Sequence, residues 1–518
     1  MLRINLVFIF IALFPAAIIA QLTHLQIFEF ERYESFVQGR NLSPGDAETE
    51  RGEIFLKNGE PLAINKKFLL VSASPAKIAA PKETAKTLSE ILKLPEEYIL
   101  AKLEKDTIYS PIKSRLTDKE VEDLESKEIA GVNLLYEAGR YFPQSSLASQ
   151  AVGFVDANLN GQYGLEEYYN DVLAEEGRDI KLSIDYDVQY KAEKLLADSV
   201  SGLGFEAGLI LVMDPGSGEI LVLANFPNFD PNQYSDYAQK GDLSIFQNGA
   251  TQKIFEPGSV FKPLTMAAAI EEGKITSQTT YVDEGSVKIG SSVISNYDKR
   301  VYGEQTMTGV LEKSINTGAV FAEKKLGHSS FLKYIEKFGL FEKTGIDLPE
   351  IYSQNKEFKK GYEINYSTAS FGQGIELTPI QLARAYSALA NGGLMVRPYL
   401  NKEQKPALTR VISAKTALEI TNMLVSVTEN GYGKAAKIPG YYVAGKTGTA
   451  QVPEAGEYSP NKTVQSFVGY FPAFSPRFLV LVKLDNPQTK TAEYSAIPIF
   501  RSLAEYLVNI YKVPPDRE

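Results

Sequence analysis

The chain contains no cysteine. Disulfides, thiolate metal sites and a cysteine nucleophile are thereby excluded, while the compartment is left open. Histidine is almost as scarce, with two residues, His24 and His328. The first lies beside the N-terminal apolar segment and the second follows Leu326-Gly327 at an expected helix end, so no histidine-rich metal site can be built. No metal and no cofactor is expected. A Ser-His-Asp triad would have to rest on His328 with nothing else in its support, so a serine nucleophile here would turn to lysine for its base. Positive charge is also short: 54 Lys and Arg against 64 Asp and Glu give a net charge of −10. Nucleic acid, which wants a basic face, is not the expected main partner.

What is present is an ordinary folded composition, with 44% hydrophobic and 23% charged residues. A chain of 518 residues is too long for one core, and two to four domains are expected. Ile4 to Leu22 carries no formal charge, and its 19 residues, at about 1.5 Å each, just cross a hydrocarbon core. A cleaved signal peptide is the alternative, but the run is long for one and Ile18 sits where a small residue would precede a cut after Ala20. Arg3 lies before the run and Glu29, Glu31 and Glu34 after it, which favours an uncleaved anchor with its N-terminus inside. Phe28 to Gly39 reads as a short amphipathic helix leading outward.

Between residues 40 and 180 short strands and helices mix. Arg51 to Ala63 alternates around Asn58-Gly59, a hairpin signal. Pro81 to Lys105 is helical in two pieces split by Pro95, Thr117-Asp-Lys-Glu120 has capping-box spacing, and Val132 to Tyr141 is strand-like. No chemistry stands out there. A new unit begins near Asp179, where Asp187 to Val200 is helical and two apolar strands, 207–213 and 220–224, form a hairpin buried on both faces. Further strands are expected at 441–444, 466–471 and 478–482, and a last helix at 499–511 shows Ile499, Leu503, Leu507 and Ile510 on one face. Strands from both ends with helices between predict an α+β domain, one antiparallel sheet covered by helices.

Three short patterns carry chemistry. Glu256-Pro-Gly-Ser-Val-Phe-Lys-Pro263 sets Ser259 and Lys262 three apart at the start of a helix expected to run to Gly273, which lets the amine reach the hydroxyl. Taken alone, Ser-x-x-Lys reads as well as a surface helix start. Ser314-Ile-Asn316 precedes a helix ending at Gly327 and offers a hydroxyl and an amide to one cleft, although by itself an ordinary helix cap is the simpler reading. Lys446-Thr-Gly-Thr449 follows the apolar strand 441–444; Gly448 lets a ligand backbone lie close, and the lysine with its hydroxyls suits a carboxylate. The same stretch satisfies the phosphate-binding pattern G-x-x-x-x-G-K-T from Gly440 to Thr447, but its middle residues are strand formers and Gly448 and Pro453 follow the lysine, so the strand–loop–helix context is inverted.

The ordered triplet Ser-x-x-Lys, Ser-x-Asn, Lys-Thr-Gly resembles the signature of penicillin-binding proteins and serine β-lactamases. With the anchor, the Arg51-Gly52…Asn58-Gly59 hairpin, Tyr163-Gly-Leu-Glu-Glu167 and Ser370-Phe-Gly-Gln-Gly374 followed by Thr378-Pro-Ile-Gln-Leu-Ala383, the chain resembles a class B penicillin-binding protein over nearly its whole length. Ile315 departs from class A β-lactamases, which have aspartate there. The resemblance implies an anchor at 1–25, a non-catalytic pedestal of the dimerisation type at 26–180 and a transpeptidase domain at 181–518. It implies a single-pass protein of the cell membrane, catalytic domain outside, that cross-links peptidoglycan stem peptides ending in D-Ala-D-Ala and is acylated by β-lactams, with a membrane glycan polymerase and division proteins as partners. Ser259 would be the nucleophile and Lys262 its base, which a lysine titrating near about 10.4 becomes only after a depression of about three units, roughly 4 kcal/mol. Ser314 would relay the proton, Asn316 hold the substrate amide, and Lys446, Thr447, Gly448 and Thr449 line the carboxylate side, with the Ser259 and Thr449 N–H groups as oxyanion donors. A serine β-lactamase and a catalytically idle scaffold are the alternatives. The Glu-Pro-Gly-Ser-x-Phe-Lys context favours a septal over an elongation role.

Overall fold

A computed structural model describes residues 50–454 and 457–517. The expected anchor and the short helix at 28–39 lie outside them. Among the described residues no helix is long and apolar enough to cross a membrane. The described residues form two compact units, one of residues 65–141 and one of residues 51–64 with those from 142 onward.

In the smaller unit, Pro81 occupies the first turn of a helix that runs to Leu92, where its missing N–H leaves no bond unmade. Ala85, Leu88 and Leu92 fall on its inner face and are buried. Lys93 takes a left-handed conformation, Pro95 follows, and a second helix spans Glu96–Leu103. Thr117 accepts from the Glu120 N–H and Glu120 from that of Thr117, a complete capping box that starts the helix Asp118–Lys127. Val71–Ala73 pairs antiparallel with Ser110–Lys113, and Val132–Tyr141 joins the same strand. Val71, Ile99, Leu103, Ile112 and Leu124 close the core.

In the larger unit, Ile54–Phe55 pairs antiparallel with the strand that begins at Pro61, around Gly59 at φ +91°, as the Asn-Gly signal predicts. Five antiparallel strands make the central sheet: β1 Ala207–Met213, β2 Ile220–Phe226, β3 Ala444–Glu454, β4 Glu457–Phe471 and β5 Phe478–Asp485, in the order β3-β4-β5-β1-β2. The first and last strands of this sheet in chain order, β1 and β5, thus pair inside it, where Val212 opposes Val480. β1 is apolar throughout because both faces are covered. Leu209, Leu211 and Met213 enter one core, and Ile210 and Val212 the other. At about 1.5–3 kcal/mol for each fully buried aliphatic side chain, these strands anchor the unit.

The second core is roofed by α1, Tyr186–Leu203, and α6, Ala496–Ile510. Ile499, Leu503 and Leu507 of α6 are buried as the spacing predicts, but Ile510 is 39% exposed, and Phe500, Ala504 and Val508 complete the stripe instead. The first core is covered by α2, Lys262–Glu271, α4, Pro379–Ala390, and α5, Ala414–Asn430, with α3, Asn316–Leu326, beside them. α2 is buried over nearly its whole length, from Lys262 to Ile270. The patterned residues lie on this side.

Candidate active site

Ser259 does not open an α-helix. Gly258–Phe261 forms a 3-10 turn, and α2 begins at Lys262 with Pro263 in its first turn. Pro257 and Gly258, the latter at φ +60°, break the preceding chain and feed this turn. The i, i+3 relation survives, since a 3-10 turn brings those positions together even more directly. Lys262 Nζ lies 2.9 Å from Ser259 Oγ. The Tyr386 hydroxyl, buried, donates to the Val260 carbonyl at 2.6 Å, and the Thr265 hydroxyl donates to the Ser370 carbonyl at 2.8 Å, so the turn is held from behind.

The second wall comes from Ser314–Asn316. Lys262 Nζ is 2.6 Å from the Ser314 carbonyl oxygen, 2.8 Å from Asn316 Oδ1 and 3.2 Å from Ser314 Oγ. Asn316 Nδ2 donates to the Ser295 carbonyl at 3.0 Å, which orients the amide with its oxygen toward the lysine. Ser314 has φ +54°, a left-handed conformation that costs a non-glycine residue about 1–3 kcal/mol. It is not a helix cap. The first N–H groups of α3, those of Asn316 and Thr317, donate to Asn296 Oδ1 at 3.1 and 3.2 Å. Asn296 is in turn held by Asp283, to which its Nδ2 donates at 2.9 Å, and the Thr317 hydroxyl donates to the same carboxylate at 2.6 Å. This buried Asp283–Asn296 support has no signature in the sequence. It sits among short hairpins, 280–283 with 303–306 and 286–289 with 292–295, whose Gly, Ser and Asp content reads as loop. By capping α3 from outside, it leaves the Ser314 hydroxyl free for the lysines.

Lys446 forms the third side. It lies inside β3, opposite Val468, and not after a strand as its neighbours suggest. Gly445 and Gly448 depress strand propensity, but packing requires them: a Cβ on Gly445 would meet the Phe467 ring at 2.4 Å, and one on Gly448 would meet Ser466 Oγ at 2.4 Å and the Pro257 carbonyl at 3.1 Å. β3 therefore lies hard against the chain that enters the Gly258–Phe261 turn. No helix begins at Lys446, so the phosphate-loop context is absent. Lys446 Nζ lies 3.0 Å from Ser314 Oγ and 3.2 Å from Thr447 Oγ1. Thr449 is half-buried two residues along the strand. β3 is the edge strand, with one row of backbone groups unpaired by the sheet. His328 is engaged elsewhere, 2.6 Å from Glu323 and stacked on Tyr366.

Ser314 Oγ thus bridges two lysines, both fully buried. Burial, and then the Lys446 charge, holds the Lys262 amine well below the usual lysine range, and burial brings Lys446 down to about 7. A neutral Lys262 has two N–H bonds for the Ser314 carbonyl and Asn316 Oδ1, neither of which can donate, and one lone pair for a hydroxyl proton. Of the two hydroxyls in reach, that of Ser259 is the nearer, at 2.9 Å against 3.2 Å for Ser314.

Residues 208–505 match the penicillin binding protein transpeptidase domain, and residues 46–184 match the penicillin-binding protein dimerisation domain. The chain is 33% identical to stage V sporulation protein D of Bacillus subtilis over 490 residues, 85% of this chain and 75% of that protein. It is 29% identical to the probable peptidoglycan D,D-transpeptidase PenA of Neisseria meningitidis, over 99% of this chain and 94% of that one. Among solved structures, penicillin binding protein 3 of Mycobacterium tuberculosis with aztreonam matches at a TM-score of 0.70 and 26% identity, covering 90% of this chain and 97% of that one. The chain belongs to the class B penicillin-binding proteins, with a transpeptidase domain behind a dimerisation domain.

Proposed function

We propose that Ser259 is the nucleophile of this peptidoglycan D,D-transpeptidase and Lys262 its base. The observation that carries the assignment is the Lys262 amine, buried and held below its usual range, 2.9 Å from Ser259 Oγ with the Ser314 carbonyl and Asn316 Oδ1 beside it as acceptors. Ser259 Oγ attacks the carbonyl between the two terminal D-alanines, and its proton passes to Lys262 Nζ. Ser314 Oγ, in contact with both lysines, returns a proton to the departing D-alanine amine, and the C–N bond breaks to leave an acyl-enzyme. Asn316 holds the substrate amide. Lys446 with Thr447 and Thr449 receives the terminal carboxylate, whose charge restores the Lys446 ammonium. The Ser259 and Thr449 N–H groups stabilise the oxyanion. An amine from a neighbouring stem then displaces the serine and completes the cross-link.

The proposal extends to organisation: an anchor in residues 1–25 with its N-terminus in the cytoplasm, a pedestal to about residue 180, a transpeptidase domain from 181 onward outside the membrane, and a septal role beside a glycan polymerase and other division proteins. Its support is the apolar run Ile4–Leu22 and the Glu-Pro-Gly-Ser-x-Phe-Lys context. Localising a tagged copy in dividing cells tests it, with accumulation at midcell expected and uniform labelling of the side wall contradictory. For the chemistry, a fluorescent penicillin labels the wild type stably and covalently and does not label Ser259→Ala. A wild type that stays unlabelled supports an idle scaffold, and rapid release of the label a β-lactamase.

A further inference from the structure

The β3–β4 hairpin outruns the sheet that carries it. Its register continues to Glu454 opposite Glu457, whereas β4 finds its next neighbour, β5, only from Val464 onward, opposite Asp485. Beyond Ala450 the hairpin is a two-stranded projection, and a hairpin without a third strand is marginal in water. Its register also slips between Gln451 and Pro453. The strand that bears Lys446, Thr447 and Thr449 therefore leads directly into a segment whose orientation the sheet does not set.

One side chain reaches from the nucleophile turn to this projection. Glu256, three residues before Ser259, accepts from the Tyr458 hydroxyl at 3.1 Å on Oε2 and 3.4 Å on Oε1, and Tyr458 lies on the projecting part of β4, opposite Pro453. The same Oε1 accepts the Gly374 N–H at 3.0 Å. Gly374 ends a loop that is interleaved with the turn: the Gly258 N–H donates to the Gly372 carbonyl at 2.9 Å, and a Cβ on Gly372, at φ +82°, would fall 2.2 Å from the Gly258 carbonyl oxygen. Turn, loop and hairpin meet at one carboxylate. We propose that Glu256 is a positioning residue that ties the projecting hairpin and the 370–374 loop to the nucleophile turn, and so sets how Thr449 and the lysine strand face Ser259 during acylation.

The inference rests on Ser259 being the nucleophile. It concerns the transition state more than ground-state binding, because the tether governs the mutual placement of the attacking oxygen and the strand amide. The test is rapid-mixing acylation of the full-length protein by a fluorescent penicillin, separating the first-order acylation rate from the initial dissociation constant, with Tm measured alongside. Glu256→Ala is expected to acylate about tenfold more slowly with a dissociation constant within about twofold of wild type. Glu256→Gln keeps an oxygen for both donors and is expected to recover to within about threefold. Tyr458→Phe is expected to lose about threefold, and the double variant to be no slower than Glu256→Ala. Wild-type acylation by Glu256→Ala overturns the proposal, as does a Gln variant no better than Ala, or losses that multiply in the double variant. Should Glu256→Ala fail to fold, Tyr458→Phe decides, and an unchanged rate there overturns the tether. An unlabelled wild type, or label on Ser259→Ala, removes the nucleophile assignment and the tether with it.

Discussion

Two buried clusters of charge in the larger unit follow opposite designs. Around Arg51, opposite charges meet and every direction of the guanidinium is used. Nε and Nη2 donate to Glu166 Oε2 at 2.8 and 2.6 Å, Nη2 also to the Glu166 carbonyl at 3.1 Å, and Nη1 to the Leu159 carbonyl and Asn170 Oδ1 at 3.2 and 3.1 Å. In the cleft, like charges meet across one hydroxyl, on a serine whose backbone is itself strained. The first arrangement holds the chain around Arg51 to residues 159–170. The second holds its amines below the usual lysine range by making their ammonium forms costly. Buried charge is structural when each ion finds its counter-ion and donors, and chemically useful when one partner is withheld until substrate arrives.

The largest expected effect lies at the structural cluster. Glu166→Ala removes the carboxylate that takes the Nε and Nη2 bonds of buried Arg51, and a loss of about 3–5 kcal/mol is expected in denaturant unfolding, with the label on surviving folded protein still going to Ser259. A loss below about 1 kcal/mol would mean that water or the neighbouring carbonyls replace the pair. From the other side, Lys446→Met is expected to stabilise the protein by about 1–3 kcal/mol at pH 7 while slowing acylation. The sign follows from the pKa, which is about 7 in the folded protein and near about 10.4 in the unfolded chain. Between those values the unfolded chain binds more protons, so the penalty is complete below pH 7 and disappears as pH rises toward 10. Wild-type stability should therefore climb across that window more steeply than that of Lys446→Met, and equal slopes would contradict the assignment.

The three patterned motifs were legible as a set because each states a residue type the chemistry needs. Their convergence was not, since it depends on long-range pairing: β3 and β4 must join β5 and the early β1–β2 hairpin before Lys446 can approach Ser314. Local signals failed where packing overruled them. Ser259 looks like the first residue of an α-helix but sits in a 3-10 turn, because Pro257, Gly258 and the crowding of Gly372 against the turn set the backbone there. Sequence pattern puts the lysine strand too early because its glycines weaken strand propensity, and these are the positions where a Cβ would strike Phe467 and Ser466. Asn296 and Asp283 left no signal, since a cap supplied from 20 residues away has no spacing rule. Of the pedestal elements, those with their own caps and turns, at Pro81, Pro95, Thr117 and Gly59, form where local chemistry places them.

The most direct test of the withheld counter-ion is to watch the amines themselves. In protein labelled with 13C at lysine Cε, an NMR pH titration should show two lysines whose chemical shifts move well below the usual range near about 10.4. One signal should vanish in Lys262→Met and the other in Lys446→Met, and Lys262 should titrate at higher pH once the Lys446 charge is removed. If all lysines titrate in the ordinary range, or Lys262 is indifferent to the loss of Lys446, the cleft does not work by setting two buried ammonium groups against each other.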